Sequence, residues 1–193
     1  MQPDKNIEKW TVINEQDVSP SPWFPVVRHV VKLANGSIVD DYYFSPLGDV
    51  AQVLPITKSN EVVLVKQYKH ALGEVLLELP GGMQQKNRSI IESTINELEE
   101  ETGIRTTANQ LISLGKIANN PTKLKQVTYG FILFNAEFNS SQKQDATEDI
   151  QVVTIPAPEV LKMALNGEIW VTDSLNFILK AALAYPNIFG LAV

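Results

Sequence analysis

Leu79-Pro80-Gly81-Gly82, followed by Asn96-Glu97-Leu98-Glu99-Glu100-Glu101-Thr102-Gly103-Ile104, is the stretch from which the rest of the chain can be read. Two glycines after a proline make a sharp backbone turn where an amide or a carbonyl can face a ligand. Beyond them Ile91, Ile95 and Leu98 form one stripe, the spacing of an amphipathic helix packed on a core. A helix is therefore predicted over about residues 89–102, with Gly103 as its stop. Glu97 and Glu101 are four residues apart and share a face of that helix, and Glu100 stands three from Glu97. Like charges stacked in this way oppose each other by roughly a few tenths of a kcal/mol per pair. One reason to keep them is a divalent cation, since a hard ion such as Mg²⁺ takes oxygen ligands. The other reading is a solvated acidic helix face. The Gly-Gly turn at the head of the helix favours the cation.

Working outward, 193 residues suffice for one good-sized core, or for a main domain with a small appendage. The net charge of −6 leaves no basic stripe to neutralise phosphates, so no nucleic-acid partner is expected. With no cysteine, disulfides and thiolate metal sites are excluded. His29 and His70 are too few for a zinc site without carboxylates. No apolar run approaches the ~20 residues of a membrane span, so no membrane partner is expected. Met1-Gln2-Pro3-Asp4-Lys5 shows no basic-then-apolar signal pattern, and a cytoplasmic location is the expectation.

Before the Gly-Gly turn, residues 8–14 are β-prone and Ser19-Pro20-Ser21-Pro22 breaks the chain. Asn35-Gly36 lies between two further β-prone runs, a strong hairpin signal. The first ~45 residues thus read as a small antiparallel unit, too small to be stable alone. Strands are predicted at residues 50–56, 61–68 and 75–79, then at 111–117, 127–138 and 150–155. Val62-Val63-Leu64-Val65 is apolar on both faces, as in a strand buried between layers. Helices are predicted at residues 158–165 and 173–184, and residues 140–147 read as a polar loop. Strands mixed with three helices give an α+β class with sheet between helices.

Gly82, Glu97, Leu98, Glu100, Glu101, Gly103 and Ile104 fall in register with the box that marks the Nudix hydrolases. That box reads Gly, five residues, Glu, seven residues, then Arg-Glu-aliphatic-any-Glu-Glu-any-Gly-aliphatic. Lys66-Gln67-Tyr68-Lys69-His70, Gly73-Glu74 and Leu77-Glu78-Leu79-Pro80-Gly81-Gly82 resemble the ADP-ribose and nucleotide-sugar pyrophosphatase branch. So do Trp23-Phe24 and Asn166-Gly167-Glu168-Ile169. The resemblance covers nearly the whole chain. It implies the Nudix fold: α+β, a mixed β-sheet sandwiched between helices, with a small N-terminal antiparallel β-unit. It also implies two parts, an N-terminal dimerisation unit over residues 1–45 and a Nudix hydrolase domain over 46–193.

Two box positions depart. The first Glu position holds Arg88 and the Arg position holds Asn96, two positions that commonly pair in the family. Arg88 and Glu92 are four apart and offer a substitute ion pair, worth ~0.3–0.5 kcal/mol if exposed.

The resemblance implies attack of water on phosphorus, converting ADP-ribose or a nucleotide sugar to a nucleoside monophosphate and a sugar phosphate. It implies Mg²⁺, with Mn²⁺ as an alternative, held by Glu97 and Glu101 with help from Glu100 and the carbonyl of Gly81. Glu100 and Glu148 are the catalytic candidates, Glu148 as general base on the loop before the last strand, with Asp145 in reserve. Lys69 is a candidate phosphate contact, as a point charge where relatives carry Arg. Glu78 either binds substrate or pairs with Lys69. Trp23 is a candidate for stacking on a nucleobase; packing within the N-terminal unit or at a dimer contact is the alternative for Trp10, Trp23 and Phe24. A homodimer through the N-terminal unit is implied. The competing class is a Nudix-fold binding or sensing protein with weak or lost catalysis, suggested by Arg88 and Asn96.

Overall fold

The computed structural model describes residues 7–143 and 149–191. Two compact units emerge, one comprising Met1–Gly48 with Asn120–Gln126, the other Asp49–Asn119 with Val127–Val193.

The first unit is an antiparallel sheet of β1 (Thr11–Asp17), β2 (Val27–Lys32) and β3 (Ile38–Phe44). Asn35-Gly36 makes the β2–β3 turn as expected, closed where the Leu33 N–H donates to the Ser37 carbonyl at 2.8 Å. Residues 120–126, a plain loop in the sequence, belong to this unit. The Tyr42 hydroxyl donates to the Thr122 carbonyl at 2.7 Å, and the Lys123 ammonium stands 5.6 Å from the Tyr42 ring centre. Strand β1 is exposed along its whole length, and Trp10, Val12 and Ile13 face outward in this unit.

The second unit follows the order β4 (Val50–Thr57), β5 (Glu61–Lys69), β6 (Glu74–Glu78), β7 (Gly81–Met83), α1 (Ile90–Thr102), β8 (Leu111–Ile117), β9 (Thr128–Ala136), β10 (Ile150–Pro156), α2 (Ala157–Asn166) and α3 (Thr172–Ala184). Its sheet runs β10-β5-β4-β9-β8, with β4 and β9 parallel and the other pairs antiparallel. Side chains alternate along each strand. Ala51, Val53, Val63, Phe131 and Leu133 meet Leu98 of α1 and Ile104 just beyond it. Leu54, Ile56, Val62, Leu64 and Ile132 face the other way, onto Val160 and Leu161 of α2 and Phe177 and Ile178 of α3. Helices on both faces explain why these strands read as continuous apolar runs. Gly130 leaves the room that Phe177 occupies, since a Cβ there would lie 2.2 Å from two of the ring atoms.

One local prediction changes. Gly81-Gly82, read as a turn, begins the short strand β7, which pairs with β4 through Gln52–Gly81 and Ala51–Gly82. Strands β4 and β5 are paired at Ile56–Val62, next to their connecting turn. Farther along, β5 is joined by β6 and β4 by β7. Leu79-Pro80 carries the chain across from one to the other. Glycine at 81 is a steric requirement: with φ at +154°, a Cβ would stand 2.1 Å from the Ala51 carbonyl oxygen.

Candidate functional site

The acidic helix α1 starts on a capping box. The Ser89 hydroxyl oxygen accepts from the Glu92 N–H at 3.2 Å, while a Glu92 carboxylate oxygen accepts from the Ser89 N–H at 2.8 Å. The Ser89 hydroxyl donates to the same Glu92 oxygen at 2.7 Å. These bonds overturn the expected Arg88–Glu92 ion pair, because Glu92 is engaged locally by its cap and Arg88 adds only a minor attraction. The Ser89 backbone N–H, then its hydroxyl, hold the Glu92 carboxyl below the usual carboxylate range. At the other end Gly103 adopts φ +73°, and its N–H donates to the Glu99 carbonyl at 2.8 Å.

The acids of the last two turns have distinct surroundings. Glu101 is 7% exposed, and its Oε2 accepts the Gly81 N–H at 2.7 Å. Glu97 Oε1 accepts from Gln85 Nε2 at 3.0 Å, and its Oε2 lies only 2.6 Å from where a Cβ on Gly82 would be. The helix carboxylates and strand β7 are thus one structural unit. Glu100 stands on the same helix, where its backbone carbonyl accepts the Lys143 N–H at 2.8 Å. Glu99 turns to Arg105, whose Nε donates at 2.8 Å, and to the Ser140 hydroxyl at 2.8 Å. Arg105 first, and Ser140 second, hold its carboxyl below the usual range. Gln142 Nε2 donates to the Glu101 and Ile150 carbonyls at 2.6 and 3.1 Å, tying the end of α1 to β10.

Beside Leu79-Pro80 lies a cavity of about 430 Å³, whose lining includes Lys69, Leu72, Leu76, Glu78, Trp170 and Asp173. That volume suits a small ligand with a few polar anchors. Lys69 and Glu78 form an ion pair at 2.5 Å in its wall, with Glu78 only 8% exposed. Asp173 accepts the Thr128 hydroxyl at 2.7 Å. The crossing segment is pinned next to the cavity: the Leu79 N–H donates to Ser174 Oγ at 2.9 Å, and the Val53 N–H to the Pro80 carbonyl at 2.9 Å.

Of the residues expected from sequence, Gly81 meets Glu101 while Glu97 lies against the neighbouring Gly82, and Lys69 and Glu78 stand together in the cavity wall. Trp23 belongs to the first unit, where it is 90% exposed, so it is no core residue of that sheet. Glu148 and Asp145 lie outside the described residues. Gln85, Gln142, Ser174 and Trp170 also take part, and none of them stands in a sequence motif. A buried polar residue in an apolar stripe, such as Ser174 on α3, is the signal that marks one of them; Gln85 carries none.

The donor set suits a hard divalent cation in kind. Glu97, Glu100 and Glu101 offer only oxygen, and the last turn of α1 contains no basic residue to offset them at the negative helix end. Among the described residues, no three His, Cys, Asp or Glu side chains converge closely enough to hold a metal ion. Glu97 and Glu101 are directed to the Gly81-Gly82 backbone, and the match is one of ligand chemistry and placement.

Known proteins resemble the chain over most of its length. Residues 46–172 match the NUDIX domain, and residues 10–45 match the nucleoside diphosphate sugar hydrolase N-terminal domain. An "ADP-ribose pyrophosphatase" of Bacillus subtilis (strain 168) is 26% identical over 167 residues, covering 86% of this chain and 88% of that protein. A "Methanol dehydrogenase activator" of Bacillus methanolicus is 26% identical over 141 residues, covering 72% and 75%. A solved "ADP compounds hydrolase" shares the fold, with a TM-score of 0.82 at 19% identity, covering 95% of this chain and 97% of that one. Among the described residues no helix is long and apolar enough to cross a membrane.

Proposed function

The chain belongs to the Nudix hydrolase family, and on that premise we propose that it is a divalent-cation-dependent pyrophosphatase. Its substrate is ADP-ribose or a nucleotide sugar, and its products are a nucleoside monophosphate and a sugar phosphate. The observation that carries this reading is the hydrogen bond from the Gly81 N–H to the buried Glu101 carboxylate. It fuses the acidic helix to a strand that begins within a few residues of the Lys69–Glu78 cavity. The Bacillus subtilis relative, an ADP-ribose pyrophosphatase by name, supports the substrate class.

Glu97 and Glu101 hold the cation, with Glu100 and the Gly81 carbonyl as further ligands. Mg²⁺ is the ion proposed, with Mn²⁺ able to replace it; when bound it neutralises pyrophosphate charge and makes its water acidic. Lys69 attracts the anionic substrate from the cavity wall, and Glu78 holds its ammonium in place. Glu148 takes the proton of the attacking water, with Glu100 as the second catalytic carboxylate. Residues 1–45 form a homodimer contact, a role suited to the outward-facing Trp10, Trp23 and Phe24. A cytoplasmic location is part of the same proposal.

The test offers purified protein with Mg²⁺ a panel of ADP-ribose, ADP-glucose, UDP-glucose, GDP-mannose, NADH, coenzyme A and nucleoside triphosphates, with Glu101→Gln as control. Monophosphate release from ADP-ribose or a sugar nucleotide, lost in the control, is the expected result. No release from any compound, or equal release by the control, overturns the proposal. Solution mass tests the dimer, and a monomer at micromolar concentration refutes it.

A further inference from the structure

Arg88 and Asn96 occupy the positions where the Nudix box carries Glu and Arg, and a different bracing arrangement surrounds Asn96. Gln85 stands between Asn96 and Glu97. Its Nε2 donates to Glu97 Oε1 at 3.0 Å, and its Oε1 accepts from Asn96 Nδ2 at 3.3 Å. Its main chain is fixed too, since the Gln85 N–H donates to Ser93 Oγ at 3.0 Å. The neighbouring Gln84 Nε2 donates to the Arg88 carbonyl at 2.7 Å, closing the loop ahead of the helix. One Glu97 oxygen is held by an amide while the other lies against Gly82.

We infer that Gln85 is a positioning residue for Glu97, a neutral clamp in place of an ionic brace, which Arg88 and Asn96 cannot form. This rests on Glu97 being a ligand of the divalent cation. A hydrogen bond from an amide to a carboxylate is charge-assisted and directional, so it selects one orientation of Glu97 before the cation arrives. Partners that orient a metal ligand typically contribute 10–100-fold to metal affinity or activity.

The experiment titrates Mn²⁺ into metal-free protein, reading free Mn²⁺ by electron paramagnetic resonance. Wild type, Gln85→Ala, Gln85→Leu and Glu97→Gln are compared, each also in an Arg88→Glu/Asn96→Arg background that supplies an ionic brace. Gln85→Ala and Gln85→Leu are expected to weaken Mn²⁺ binding about 10–100-fold with little change in melting temperature. In the braced background the same changes should cost less than about threefold. Gln85→Leu keeps the side-chain bulk, so binding within about twofold of wild type would assign the effect to packing and overturn the inference. Equal losses in both backgrounds would overturn it as well. Mn²⁺ binding unaffected by Glu97→Gln would instead remove the cation reading beneath it. Loss in Glu97→Gln alone refutes only the role of Gln85.

Discussion

Replacing Gly82 by alanine places one methyl group where Glu97 rests. The added Cβ would stand 2.6 Å from Glu97 Oε2 and 2.9 Å from its Cδ. Ordinary contacts sit at about 3.5–4.0 Å, so the carboxylate must withdraw by roughly 1 Å. The backbone is no obstacle, because Gly82 is not among the positive-φ residues. The clash involves the tip of a flexible side chain, so the stability cost should stay below about 1 kcal/mol. For a chain of this size that is a melting shift of at most about 2–4 °C. The effect on turnover should be much larger, since a misplacement of about 1 Å in a positioned group costs on the order of 100-fold. That corresponds to about 2.7 kcal/mol of transition-state stabilisation. The assay is steady-state hydrolysis of ADP-ribose over a Mg²⁺ series, paired with calorimetric melting of the same samples. The expected result is a kcat lowered about 100-fold and a raised Mg²⁺ requirement, with a melting temperature close to wild type. Turnover within about threefold of wild type would refute the placement of Glu97 against Gly82 as functional. A melt lowered by about 10 °C would refute local relief of the clash.

Gly130→Ala should behave oppositely, because its Cβ would meet the ring of fully buried Phe177 at 2.2 Å. That ring has no room to retreat, and overpacking should cost about 1–3 kcal/mol, visible as a lower urea midpoint; an unchanged midpoint would count against it. Lys69→Met leaves the buried Glu78 carboxylate without its ion-pair partner. With the Lys69 side chain 38% exposed, the stability loss should be about 1–2 kcal/mol, below that of a fully buried pair, with KM raised more than kcat is lowered. An unaltered KM would separate Lys69 from substrate. Glu92→Gln tests the capping box by pH. The Glu92 carboxyl is held below its ordinary value of 4.5, so its stabilising effect is complete above that value and disappears as pH falls through the lower folded-state value. Urea midpoints of wild type and Glu92→Gln should therefore differ at pH 7 and draw together as the pH is taken below the ordinary value of 4.5. A gap that does not change with pH would deny the charge a role.

Local patterns carried much of this fold into the sequence. Asn35-Gly36 specifies a hairpin whatever surrounds it. The stripe of Ile91, Ile95 and Leu98, ended by Gly103, specifies an amphipathic helix with Glu97 and Glu101 on one face. Arg88 and Glu92 show where spacing misleads. Four residues apart they look like an ion pair, but Ser89 stands three before Glu92 and offers its carboxylate two hydrogen bonds that do not require the Arg88 side chain to be ordered. Gly81-Gly82 reads as a turn because its partners, Gln52 and Ala51, are distant in sequence and pairing is a long-range event. Gln85 is invisible for the same reason. A glutamine in a polar loop has no pattern, and its importance depends on where Asn96 and Glu97 are held. Residues 120–126 join the first unit through Tyr42 and Ser45, a choice that local propensity does not encode.

The crossing at Leu79-Pro80 has a consequence for chain length. Glu78 is registered to Val65 on β5, and Gly81 to Gln52 on β4, so Leu79 and Pro80 must span the interval between two fixed pairings. The chain bends at Pro80 to make that crossing. One inserted residue would have to release either Glu78 from Lys69 or the Gly81 N–H from Glu101. This dipeptide therefore works as a ruler, fixing how far the cavity stands from the acidic helix and setting the size of molecule that can reach both.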